Sequence, residues 1–178
     1  MQDFKKNELR PHLRRQWVIP PDNNAAFVAN MENILDIYHR SSDPANPVIC
    51  MDEQPVQLIG EKRVPVAAES GRPLRFDYEY IRNGTAEIFM FTEPLGGWRR
   101  VNVRENKKGT DWADEMRQLL EDDYPDAGKV TLICDNYSTH TTASFYKKFP
   151  PEKARELVKR LDIHYTPKHG SWLNIAEI

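Results

Sequence analysis

Two short apolar runs dominate the hydrophobic pattern of the chain, and each is closed by an aspartate. They are VICMDE, which contains Asp52, and KVTLICD, which ends at Asp135. Both runs are too short and too continuously apolar for a half-exposed helix, so they predict strands that are buried on both faces. The pattern therefore places Asp52 and Asp135 at the carboxyl ends of two central strands.

The remaining strand signals are weaker, and all of them follow a long irregular stretch. AEIFMF and WRRVNVR, separated by the loop TEPLGG, predict an antiparallel pair. The preceding FDYEYIRNGT alternates and then predicts a turn at Asn83-Gly84, and DIHYTP predicts a short last strand. Residues 54–75 contain three prolines and two glycines and are expected to be irregular.

Helical spacing of apolar residues predicts four helices. The first covers residues 24–39 with Asp22 as its cap, and the second runs from Asp111 to about Asp122 after Thr110. The third covers residues 151–161 after a Pro-Pro pair, and the last begins at Ser171. The second helix is expected to bury Trp112, Met116, Leu119 and Leu120.

The order of these elements predicts an α/β fold. Early strands join through hairpins and later ones through helical crossovers, which places helices on both faces of a mixed sheet. The ribonuclease-H-like arrangement is the best-known solution with this order. We expect residues 46–178 to form this domain, and residues 1–45 to form a basic linker plus a helix without a complete helix-turn-helix domain.

Composition narrows the class of protein without identifying a function. With 178 residues, 39% apolar and 29% charged residues, the chain has the profile of one soluble globular domain. No apolar run approaches the roughly 20 residues that span a bilayer, and the start MQDFKKNELR lacks the apolar core of a signal peptide. Cys50 and Cys134 form no disulfide framework and no CxxC pair, which fits a cytosolic protein.

The net charge of −2 does not indicate a nucleic-acid-binding protein, but basic residues are clustered. Such clusters either neutralise phosphates or form a solvated surface, and charge alone does not choose between these alternatives. One cluster lies in the first fifteen residues and includes Arg14 and Arg15. The other consists of Arg99, Arg100, Arg104, Lys107 and Lys108.

Three carboxylates are candidates for a metal site. If the two aspartate-terminated strands are neighbours, Asp52 and Asp135 lie side by side and repel each other unless a cation intervenes. Mg²⁺ prefers such oxygen ligands, and Glu177, about two turns into the predicted last helix, could complete a cluster that holds two ions. Glu53 must point to the opposite face of its strand and is expected outside the ligand set. Spacing alone leaves open that these are surface acids.

The sequence segments around these acidic residues are more specific for a protein family than the spacing of the acids. MDEQPVQL, RFDYEYIRNGTAEIFMFTEPLGGWR, CDNYSTHT and HYTPKHGSWLNIAE, in this order, resemble the DDE transposases of bacterial insertion sequences in the Tc/mariner superfamily. The resemblance runs from about Arg15 to the end of the chain. It implies that Asp52, Asp135 and Glu177 are the catalytic, metal-binding carboxylates of a ribonuclease-H-like domain, with Mg²⁺ or Mn²⁺, as two ions, as the cofactor.

The resemblance also implies an activity, partners and a location. Such enzymes hydrolyse DNA at transposon ends and then use the freed 3′-hydroxyl to attack target DNA, so double-stranded DNA is the expected partner. The full-length protein is expected to be a homodimer in the bacterial cytoplasm, associated with the nucleoid and not with a membrane. Possible DNA contacts are Asn136, His140, Lys168, His169 and Asn174, together with Arg14 and Arg15.

Two features depart from the family pattern and leave alternatives open. No helix-turn-helix unit precedes the catalytic region, and the chain stops one residue after Glu177. A seven-residue terminal helix is far below the roughly 12–15 residues at which isolated helices become marginal, so we expect Glu177 to be poorly fixed and activity to be low. The alternatives are a catalytically inactive DNA- or protein-binding remnant, or another ribonuclease-H-like nuclease acting on RNA–DNA hybrids or Holliday junctions.

Overall fold

The computed structural model describes residues 25–178, in which five strands form one mixed sheet. The strands are β1 (Val48–Glu61), β2 (Tyr80–Thr92), β3 (Arg99–Arg104), β4 (Val130–Cys134) and β5 (Leu161–Tyr165), and the helices are α1 (Ala25–Tyr38), α2 (Gly109–Gln118), α3 (Thr142–Lys148) and α4 (Pro151–Lys159). The order across the sheet is β3-β2-β1-β4-β5. The predicted capping role of Asp22 and the residues Arg14 and Arg15 lie outside the described residues.

The two aspartate-terminated runs are neighbouring central strands, as predicted. β1 and β4 pair in parallel, with Val48 opposite Thr131 and Cys50 opposite Ile133. Every residue of β4 is buried, because helices cover both faces of the sheet at this point. The absence of alternation in both sequences is therefore the result of burial on two sides.

Two apolar clusters cover the two faces of β1. On one face, Ile49 and Met51 pack with the apolar side of α2. On the other face, Val48 and Cys50 pack with Ile34 and Ile37 of α1. The α2 side chains that the spacing predicts to be inward are all buried, namely Trp112, Met116, Leu119 and Leu120. A π-helical turn, Leu119–Asp123, continues α2 beyond Gln118.

The prediction of an irregular stretch after Asp52 is wrong for its first part. β1 continues to Glu61, and within the described part of the chain its outer residues pair with β2 alone. Residues 56–61 of β1 and 80–86 of β2 form a two-stranded ribbon beyond the body of the sheet. Pro55 is tolerated there because β1 has a partner on only one side at that point. The predicted turn at Asn83-Gly84 is also wrong, since both residues lie inside β2, where Gly84 takes a positive φ of 95° opposite a register shift.

The crossover from β4 to β5 contains one helix more than predicted. Helix α3 has seven residues and buries Ser144 and Phe145, which is too few apolar positions for a periodic signal. Helix α4 agrees with the prediction except at its end, because Leu161 begins β5. Within residues 25–178, no helix combines the length and the apolarity needed to cross a bilayer.

The second basic cluster is largely committed to ion pairs inside the fold. Arg100 and Arg104 of β3 both contact the carboxylate of Glu115 on α2, whose side chain is completely buried. Asn102 donates a further hydrogen bond to Glu115 at 2.9 Å. Arg100 and Arg104 therefore bind α2 to the edge strand, and neither the phosphate-binding nor the solvated-surface alternative describes them.

Candidate metal and DNA site

Asp52 and Asp135 meet at the same edge of the sheet. Because Cys50 lies opposite Ile133 in the parallel pair, the residues two positions further along, Asp52 and Asp135, continue that register on the same face. Asp52 is half-buried, whereas the Asp135 side chain is 45% exposed. Two carboxylates at the ends of adjacent parallel strands form the core of the candidate site.

Glu177 reaches this edge by a route that differs from the prediction. The predicted helix from Ser171 is absent, and two short 3₁₀ turns, Ser171–Leu173 and Ile175–Glu177, replace it. They are separated by Asn174, whose backbone is extended with φ −87° and ψ 107°. Glu177 and Ile175 are exposed, whereas Ala176 packs inward.

The side chain of Asn174 ties these turns to β1. Its Nδ2 donates to the carbonyl oxygen of Met51 at 2.9 Å, and its Oδ1 accepts from the backbone N–H of Ala176 at 3.2 Å. Asn174 is fully buried, so its side chain is not exposed for the predicted contact with DNA. Its contacts place the Glu177 turn beside the residue that precedes Asp52.

The electrostatics show that the three carboxylates are close enough to interact. Asp52 and Glu177 line one cavity of about 250 Å³, together with Gln54, Ile88, Met90 and Ala176. Burial, followed by the negative charges of Glu177 and Asp135, raises the pKa of Asp52 to about 6. A cation at this edge would relieve the repulsion.

Asp135 has the opposite electrostatic environment. The buried imidazole of His140 lies with Nδ1 2.7 Å from Oδ1 of Asp135, and this contact lowers the pKa of the Asp135 carboxyl below its usual value. The other ring nitrogen, Nε2, is 2.9 Å from Oε1 of Glu53. His140 is only 1% exposed, so it contacts Asp135 from the protein interior and is not exposed for the predicted contact with DNA.

The remaining predicted DNA contacts within residues 25–178 are exposed. Asn136, Lys168 and His169 are exposed and line a cavity of about 370 Å³ whose rim includes Asp135. His169 has a positive φ of 65°, which bends the loop before the terminal turns. Tyr137, which the sequence reasoning missed, lines the same cavity, and Lys107 lies over its ring at 5.5 Å. An exposed aromatic residue beside lysines is the signal that could have identified it.

The donor set fits a divalent cation, although the side chains do not already enclose one. Within residues 25–178, no group of three His, Cys, Asp or Glu side chains is arranged to hold a metal ion. Asp52, Asp135 and Glu177 nevertheless supply only carboxylate oxygens, which are the ligands that Mg²⁺ and Mn²⁺ prefer. Burial is the main cause of the raised pKa of Asp52, and the charges of Glu177 and Asp135, which raise it further, are ones that such an ion would neutralise.

The five-stranded mixed sheet in the order β3-β2-β1-β4-β5, with helices on both faces, has the architecture of a ribonuclease-H-like domain. Within this class, the family model described as DDE superfamily endonuclease matches residues 47–178, and the chain belongs to that family. A comparison with curated proteins finds no match.

The chain is also similar to solved structures. The chain is similar to the Mos1 transposase paired-end complex with left transposon end, with a TM-score of 0.50 and 15% identity over 91% of this chain and 48% of that chain. The Mos1 strand transfer complex gives a TM-score of 0.48 with 15% identity, over 88% and 45% of the two chains. The Mos1 mariner paired-end complex with Mn gives 0.47 with 16% identity, over 88% and 47%. The first similarity confirms the predicted fold class, and the chain spans about half the length of these relatives.

Proposed function

We propose that residues 46–178 are the catalytic domain of a DDE transposase of the Tc/mariner superfamily, in its bacterial insertion-sequence branch, with residues 1–45 as linker and helix. The observation that carries this proposal is the alignment of Asp52 and Asp135 at the ends of neighbouring parallel strands, with Glu177 held at the same edge. Membership of the DDE superfamily endonuclease family supports the same reading.

Asp52, Asp135 and Glu177 are the residues that would hold Mg²⁺ or Mn²⁺, as two ions. When bound, such ions activate an attacking oxygen and stabilise a leaving oxygen at phosphorus. The protein's own part is to hold the carboxylates at one sheet edge and to present a DNA phosphate to them. In hydrolysis, the attack of water on phosphorus breaks the bond to the 3′ oxygen and leaves a 3′-hydroxyl, which attacks target DNA in the second reaction.

DNA would lie over the edge of the sheet that carries the carboxylates. Asn136, Lys168 and His169 are exposed beside Asp135 and are suited to contact phosphates, and Arg14 and Arg15 would extend this contact in the linker. The substrates are transposon ends and target DNA, the full-length protein is proposed to act as a homodimer, and its location is the bacterial nucleoid.

Metal binding is the first test. Titration of the 178-residue chain with Mn²⁺ in a calorimeter should show binding that is lost in Asp135→Asn. The matched control is Asp126→Asn, which removes the same charge from an exposed residue before β4, at the opposite edge of the sheet. Equal binding by wild type and Asp135→Asn, or no binding by wild type, would favour an inactive remnant and contradict the proposal.

The reaction class needs a separate experiment. Oligonucleotides that carry pre-cleaved transposon ends, incubated with Mn²⁺ and supercoiled plasmid, should become joined to the plasmid by the wild-type chain and not by Asp135→Asn. Cleavage of RNA–DNA hybrids or Holliday junctions without such joining would instead assign the domain to another ribonuclease-H-like nuclease.

A further inference from the structure

The imidazole of His140 is enclosed between carboxylates from two different strands. Nε2 lies 2.9 Å from Oε1 of Glu53, which follows Asp52 on β1. Nδ1 lies 2.7 Å from Oδ1 of Asp135 and 3.2 Å from the carbonyl oxygen of the same residue, just after β4. The His140 and Glu53 side chains are 2% and 5% exposed, so water does not separate these groups.

Both ring nitrogens of His140 face oxygen atoms. Nε2 is hydrogen-bonded to the side chain of Glu53, and Nδ1 is hydrogen-bonded to the carbonyl oxygen of Asp135. The ring is also fixed from its sides. Trp112 stacks against it with ring centres 5.6 Å apart, and the hydroxyl of Tyr165 donates to the His140 carbonyl oxygen at 2.6 Å.

This arrangement restricts the half-exposed side chain of Asp135. Nδ1 of His140 lies 2.7 Å from Oδ1 of Asp135, and its hydrogen bond goes to the backbone carbonyl oxygen of the same residue, so the imidazole limits the positions that the carboxylate can take. Glu53 lies on the opposite face of β1 from Asp52 and is not in the ligand set, but its contact determines where the imidazole lies. Outer-shell hydrogen bonds of this kind orient metal ligands.

We propose that Glu53 and His140 are positioning residues, and that Glu53 acts through His140 to orient the Asp135 carboxylate for a divalent ion. This inference rests on the proposed function, since it assigns a role toward the ion that Asp135 is proposed to bind. It also explains how two residues on opposite faces of β1, Asp52 and Glu53, serve the same site.

The test measures Mn²⁺ affinity of the 178-residue chain by electron paramagnetic resonance of the free ion. Glu53→Ala should weaken binding roughly tenfold to a hundredfold, the range found when an outer-shell partner of a metal ligand is removed. Glu53→Gln should weaken it less, because the amide oxygen can still accept a hydrogen bond from Nε2. The matched control is Leu157→Ala, which removes a buried side chain of α4 remote from the site and should leave Mn²⁺ affinity within twofold of wild type.

A double variant distinguishes positioning from a purely structural ion pair. If Glu53 acts through His140, the double variant Glu53→Gln/His140→Gln should bind Mn²⁺ no more weakly than His140→Gln alone. Glu53→Gln and the double variant, which keep the volume of both side chains nearly unchanged, remain decisive if Glu53→Ala fails to fold.

The outcomes separate this inference from the proposed function. Wild type that binds Mn²⁺ while both Glu53 variants bind equally well overturns the positioning role and leaves the proposed function standing. Additive losses in the double variant also overturn it. A wild-type chain that binds no Mn²⁺ contradicts both proposals.

Discussion

Asp52 is the carboxylate of the candidate site whose charged form is destabilised by its surroundings. Its pKa is raised to about 6 by burial and by the charges of Glu177, Asp135 and Glu53. The carboxyl of Asp135 is not affected in the same way, because His140 lowers its pKa. Above pH 6 the folded, metal-free protein therefore keeps a destabilising charge at position 52, as functional sites commonly do.

Replacing Asp52 by Asn should stabilise the metal-free protein at neutral pH. The folded-state pKa of about 6 lies above the ordinary value of 3.8, so the folded state binds the proton more tightly between these values and loses stability as pH rises through 6. At pH 7.5, Asp52→Asn should be more stable by roughly 1 to 2 kcal/mol, after solvent screening of this half-buried group is allowed for. The difference should vanish below pH 4, and urea unfolding at both pH values measures it.

Metal reverses the order of stability in the same experiment. Mg²⁺ should raise the melting temperature of wild type and leave that of Asp52→Asn unchanged, because a ligand that binds the folded state stabilises it. A metal-free Asp52→Asn that is less stable than wild type at pH 7.5 would show that the carboxylates do not repel one another.

The sequence was informative about the two aspartates and much less so about the residues that support them. Asp52 and Asp135 were predictable because a buried strand has a strong apolar signal and its end is easily located. The contact between Glu53 and His140 joins residues 87 positions apart and depends on the loop after β4, for which no periodic pattern exists. The burial of Asn174 was equally hidden, since its hydrogen bonds replace the helix that apolar spacing predicted.

At the scale of elements, the predictions failed for a strand segment that is paired on one side only and for a helix that is very short. The outer part of β1 contains Pro55 and pairs only with β2, so it has neither the composition nor the burial of a central strand. Helix α3 has too few turns for its apolar residues to repeat. The hairpin of β2 and β3, the central strands β1 and β4, and helices α1, α2 and α4 had clear patterns and were predicted, which accounts for most of the fold.

The joint between β3 and α2 should depend on Glu115. Its completely buried carboxylate contacts Arg100, Arg104 and Asn102, so Glu115→Ala would leave two partly buried guanidinium groups without their common partner. Removing one member of a buried pair typically costs about 3–5 kcal/mol. Urea unfolding should show this loss, whereas Glu156→Ala, an exposed glutamate of α4, should change stability by less than about 0.5 kcal/mol. Similar midpoints for both variants would refute a structural role for the network.

The conformation of the two terminal 3₁₀ turns, and with it the position of Glu177, should depend on Asn174. Asn174→Ala removes the hydrogen bonds to Met51 and Ala176, which should cost about 1–3 kcal/mol and release the turn that carries Glu177. Mn²⁺ affinity should fall together with stability. Ile175→Ala, which truncates an exposed neighbour in the same segment, should preserve both quantities. Unchanged Mn²⁺ affinity in Asn174→Ala would separate Glu177 from the metal site.

At the scale of the whole molecule, the sheet has a rigid centre and a thin extension. β1 and β4 are covered on both faces by apolar clusters, and the carboxylates lie at the edge of this central part. Among residues 25–178, no third strand pairs with the ribbon formed by the outer parts of β1 and β2, and the ribbon exposes apolar side chains such as Leu58, Ile59 and Ile81. Local opening is expected where backbone hydrogen bonds are exposed and buried contacts are few.

Hydrogen exchange should therefore divide β1 into two parts. Amides of Val48–Met51 and of β4 should exchange with the free energy of global unfolding, because the strands can open only when both apolar clusters do. Amides of residues 56–61 and 80–86 should exchange faster through opening of the ribbon alone. Mn²⁺ should slow exchange at residues 174–177, where the turn that carries Glu177 is fixed by the ion, and leave the ribbon unchanged. Equal protection along the whole of β1 would mean that the ribbon and the core unfold as one cooperative unit, and the site could then not be stabilised independently of its extension.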